Sequence, residues 1–71
     1  MDELNNIRER IKNNRLSFVW LIYQLEQRGI VTDKTEVSSI FAGSRKGAKA
    51  DNIIKLSSAI LDEYDKSFLH E

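Results

Sequence analysis

Apolar residues return every three or four positions along most of the chain, and that spacing makes helices the regular structure open to it. Leu4, Ile7 and Ile11 share one side of a helix. So do Phe18, Leu21, Ile22 and Leu25, and later Ile53, Leu56, Ala59, Ile60 and Tyr64. Nowhere do apolar and polar residues alternate over a useful length, so no strand signal competes. No proline interrupts the pattern, and there is no internal repeat or low-complexity segment.

Capping residues and glycines divide this pattern into elements. Asp2 suits a first helix cap, and Asp2 and Glu3 suit the positive end of its dipole. Asn13 and Asn14 weaken that helix, and Ser17 caps a second one over about residues 18–28, which stops at Gly29. Ile30, Val31 and Thr32 form the next connection. Asp33 followed by Glu36 reads as a capping box that starts a short third helix. That helix reaches about Ala42 and ends at Gly43. Residues 44–50 read as a basic, small-residue loop, and Asp51 as the start of a longer helix. Phe68 and Leu69 fall on that helix or on a short final one. The expected fold is all-α, a compact bundle of four or five helices forming one domain over residues 1–71.

Composition narrows the function classes. A chain of 71 residues buries only about 60% of the surface it exposes when unfolded, so its core must be simple. Without cysteine, disulfide scaffolds and thiolate metal sites are excluded. The longest apolar run, residues 18–23, is far too short for a membrane span. Met1, Asp2, Glu3 and Leu4 lack the basic start of a signal peptide, so a soluble intracellular protein is expected. Enzyme chemistry lacks parts. His70 is the sole histidine and reads as a solvated tail residue, and no glycine-rich phosphate loop is present. Asp62, Glu63 and Asp65, beside Lys66, read as an exposed acidic face rather than an acid–base pair. No catalytic residue, metal, cofactor or small-molecule ligand is expected. The chemistry left to this chain is recognition.

The stretch from Leu16 to Leu61 resembles the lambda-repressor-like helix-turn-helix domains, the family of Cro and CI-type phage regulators. Leu16 and Ser17 resemble the entry to the first motif helix, and Leu21 and Ile22 its buried pair. Gly29 and Ile30 are similar to the residues of the turn. Val37, Ile40 and Gly43, in VSSIFAGSRKG, resemble the recognition helix and the basic loop after it. Leu56, Ser57, Ala59 and Ile60 resemble the helix that closes the core. The resemblance implies a helix-turn-helix over about residues 17–42. It also implies a reading surface of Lys34, Thr35, Ser38 and Ser39, with phosphate contacts from Ser44, Arg45, Lys46 and Lys49. Two features depart from the family. Phe18 stands where a polar phosphate ligand is usual, and the turn glycine arrives about three residues late.

Charge argues that such a surface holds DNA weakly. The chain has 11 basic and 11 acidic side chains, whereas dedicated DNA-binding domains are usually basic. Residues 29–50 carry four basic and two acidic groups, but Asp33 and Glu36 bracket the start of the recognition helix. Val19, Trp20 and Tyr23 point away from the apolar face of the second helix. They are either covered by a long neighbouring helix or form an apolar patch for a partner. Tyr64, Phe68 and Leu69 admit the same two readings.

The leading expectation is a small phage-type transcription regulator of a genetic switch, working in the cytoplasm of a bacterial host. Its partner is the N-terminal DNA-binding domain of a CI-type repressor, engaged through Val19, Trp20, Tyr23, Asp33 and Glu36. DNA is bound weakly, or as part of a mixed complex. One alternative is a Cro-like homodimer on its own operator; another is an antitoxin-like module.

Overall fold

Helix ends show most plainly how this sequence sets its fold. The computed structural model describes residues 3–69, with side chains to residue 66. Asp2, His70 and the side chains of Phe68 and Leu69, on which expectations fell, lie outside the described residues. The described residues form four helices and no strand: α1 (Glu3–Asn13), α2 (Phe18–Gln27), α3 (Lys34–Phe41) and α4 (Ala48–Leu69). The all-helical fold is as expected.

The first three helices end in the same way. After α2, Gly29 adopts φ 90° while its N–H donates to the Glu26 carbonyl and that of Ile30 to Leu25. After α3, Gly43 adopts φ 86°, with Gly43 N–H on Ile40 and Ser44 N–H on Ser39. These are Schellman motifs, in which a left-handed residue lets two N–H groups turn back onto the last carbonyls. After α1 the same pair of bonds joins Arg15 to Lys12 and Leu16 to Ile11, but the left-handed position, φ 60°, holds Arg15. The Asn14 side chain adds a 2.8 Å bond to the Arg10 carbonyl. Helix starts are equally specific. Ser17 accepts from the Trp20 N–H at 3.2 Å and Asp33 from the Glu36 N–H at 2.7 Å.

α4 departs from expectation at its start. It begins at Ala48 rather than Asp51, so part of the presumed basic loop is helical. Two alanines, the best helix formers, flank Lys49, and the Asp51 N–H closes the first turn on the Gly47 carbonyl at 2.9 Å. Ala50 is buried in the core, which draws that turn inward. At the other end α4 continues unbroken to Leu69, so no separate final helix forms. No helix among the described residues is long and apolar enough to cross a membrane.

The core gathers Ile7 and Ile11 of α1, Leu21 and Leu25 of α2, Val37, Ile40 and Phe41 of α3, and Ile53, Ile60 and Leu61 of α4. Phe18 stacks on Phe41 with centroids 5.7 Å apart, joining the start of α2 to the end of α3. Ser57 is fully buried on the inner face of α4, and its hydroxyl has no hydrogen-bond partner among the described residues. Arginines clasp the outside. Arg10 reaches Asp62 at 3.0 Å and Asp65 at 2.7 Å, and Arg28 reaches Glu63 at 3.0 Å. The bond to Asp65 is the main force holding the Arg10 guanidinium above its already high ordinary pKa. The acidic face of α4 is exposed at Asp62 and Glu63, as expected, yet it serves as the anchor for α1 and α2.

Candidate functional site

The four residues expected to form a reading surface, Lys34, Thr35, Ser38 and Ser39, all lie on α3. Val37 and Ile40, three residues apart, are buried, which leaves Lys34, Thr35 and Ser38 exposed. Ser39 is half-buried. Its carbonyl accepts the N–H groups of Ser44 at 3.0 Å and Arg45 at 3.3 Å, and also the Ser44 hydroxyl at 3.3 Å. The Ser44 side chain is thus engaged in the turn after α3. Lys46 is exposed and makes no ion pair among the described residues.

Glu36 is the organising charge of this region. It was expected to complete a capping box by turning back on Asp33. Only half of that box forms: Asp33 caps the Glu36 N–H, while the Glu36 carboxylate points elsewhere. One carboxylate oxygen, Oε1, accepts the Thr32 hydroxyl at 2.6 Å and lies 3.1 Å from Lys49 Nζ. The other, Oε2, lies 3.6 Å from Arg45 Nη1. The Thr32 hydroxyl first, and Lys49 after it, hold the Glu36 carboxyl below the usual glutamate range. Glu36 is therefore not a free acid awaiting a basic partner, and Arg45 and Lys49 are not free phosphate ligands. The three expected site residues pair with one another within the chain, one acid between two bases.

On α2 the three expected partner residues Val19, Trp20 and Tyr23 separate. Val19 and Tyr23, one turn apart, stay 62% and 57% exposed. Trp20 does not share their side. It is half-buried against the core, and its ring meets Tyr64 of α4 edge to face at 5.6 Å between centroids. The long final helix covers Trp20 and stops short of covering its two neighbours. Tyr64 is accordingly a packing residue. Val31, in the connection to α3, is 72% exposed and was not singled out from the sequence. Its mark in the sequence is a second apolar residue, beside Ile30, in a short connection.

Thr32 and the pairing of Glu36 with Lys49 were also missed. The two partners lie on different helices, so no local spacing marks them. Asp33, the remaining expected partner residue, is exposed, and its carboxylate serves the α3 cap. Among the described residues no group of histidine, cysteine or carboxylate side chains is placed to hold a metal ion. No protein-family model matches the chain, and no curated protein or solved structure matches it.

Proposed function

We propose that this protein is a small helix-turn-helix regulator of a phage-type genetic switch that acts mainly by binding a CI-type repressor. In this reading α2 and α3 are the two motif helices, α3 the recognition helix, and the DNA contact is weak. The observation that carries the reading is the bare side of α2, where Val19 and Tyr23 stand exposed while Trp20 is packed away. An exposed tyrosine is a favourable anchor for a protein partner, and neither it nor Val19 brings positive charge to a phosphate. Zero net charge supports the same conclusion. Asp33, exposed near the start of α3, supplies an acidic neighbour for the basic surface that any repressor must present to DNA.

Exposed Lys34, Thr35 and Ser38 favour a second reading, a Cro-like homodimer on its own operator. A mobility-shift assay on switch-region DNA, with and without the cognate repressor, separates the two. The first reading predicts little shift by the protein alone and a changed repressor shift in its presence. Tight operator-specific binding by the protein alone supports the second.

A further inference from the structure

We propose that Glu36 is a built-in competitor of nucleic-acid phosphate, holding Lys49 and Arg45 so that a DNA backbone must displace its carboxylate to engage them. The inference rests on the reading of α3 and the following segment as the DNA-facing side, and it states how that side is kept weak.

The geometry separates a fixed partner from movable ones. The Glu36 carboxylate is anchored: its side chain is only 16% exposed, and the Thr32 hydroxyl holds Oε1 at 2.6 Å. Lys49 and Arg45 are 54% exposed at the side chain and approach from outside at 3.1 and 3.6 Å. Both carry long, flexible stems able to swing to a phosphate without moving the backbone. Residues 44–50 supply three cations by sequence, yet only Lys46 is unpaired among the described residues. A phosphate that recruits the other two must replace a carboxylate rather than a diffuse counterion. Cations that stay on the carboxylate neutralise no phosphate and release no counterion from the DNA, so the salt dependence is shallower than the sequence implies.

The test is fluorescence-anisotropy titration of a short random-sequence DNA duplex at several salt concentrations. Glu36→Gln keeps a hydrogen-bond acceptor for Thr32 and removes the charge. Asp33→Asn makes the same charge change at a residue with no ion pair among the described residues, and Asn caps a helix as well as Asp. Circular dichroism confirms that each variant is folded. Masking predicts that Glu36→Gln binds about tenfold tighter at low salt, with a salt slope steeper by about 2, near 0.9 for each cation released. Asp33→Asn leaves the slope unchanged. An unchanged slope in Glu36→Gln, or an equal gain in Asp33→Asn, overturns the proposal.

Single lysine variants give a second measurement that leaves Glu36 in place. Lys46→Ala should weaken binding clearly and Lys49→Ala little, because Lys49 is already engaged. Equal losses overturn masking while upholding the DNA-facing reading. No loss from Lys46→Ala, Arg45→Ala or Lys49→Ala overturns both.

Discussion

The Trp20 indole meets the Tyr64 ring edge to face, with centroids 5.6 Å apart and planes at 76°. This contact ties α2 to α4 and takes Trp20 out of the surface that it was expected to share with Val19 and Tyr23. Trp20→Ala should therefore cost fold stability. A double-mutant cycle with Tyr64→Ala, followed by urea denaturation, should give a coupling of about 0.5–1.5 kcal/mol. A coupling near zero would mean that the two rings do not support one another.

Ile40→Ala tests the inner face of α3. Ile40 is 1% exposed, so its truncation should cost about 2–5 kcal/mol, most of what a domain this small has to lose. An unchanged denaturation midpoint would place Ile40 outside the core.

Arg15 holds the left-handed position that glycine holds after α2 and α3. Arg15→Gly should stabilise the protein by about 0.5–1 kcal/mol, because glycine adopts φ 60° without a Cβ penalty. Thermal denaturation reads the effect, and a lower midpoint would contradict it.

Those helix ends show what was legible in the sequence. Ser17, Asp33, Gly29 and Gly43 carry their own local chemistry, and each acts where it was expected. Arg15 was silent because an arginine in a left-handed turn has no compositional mark. The early start of α4 was hidden by Gly47, which reads as loop although Ala48 and Ala50 favour helix. The candidate site was less legible than the fold. Its residue types were recognisable, but whether a charge is free depends on which helix packs beside it. Glu36, Arg45 and Lys49 were each singled out, and none of the three is free.

Ser57 presents a buried hydroxyl without a partner among the described residues, on the inner face of α4. Ser57→Ala should raise stability by about 1 kcal/mol, since the hydroxyl bears a desolvation cost with no bond to offset it. A loss of stability in urea denaturation would show that the hydroxyl has a partner in solution.

The lowered Glu36 pKa makes stability depend on pH, through Thr32 first and then Lys49 and Arg45. Above the ordinary glutamate value of about 4.3 the carboxylate is ionised in both states, and its contribution is fully present. As pH falls below that value the unfolded chain takes up the proton first, so the contribution is lost through the depressed folded pKa. Denaturation midpoints measured down the acid range should fall less steeply for Glu36→Gln than for the wild-type protein. Parallel curves would contradict the assignment.

On the proposed reading, the exposed side of α2 around Tyr23 is where a CI-type repressor docks. Calorimetric titration of the N-terminal domain of a CI-type repressor with wild-type protein and with Tyr23→Ala tests it most directly. Tyr23 is exposed, so its truncation leaves the core intact. The expected result is stoichiometric binding by the wild-type protein and a loss of about 2 kcal/mol or more in Tyr23→Ala. Equal affinity for both proteins, or no binding by either, would contradict it.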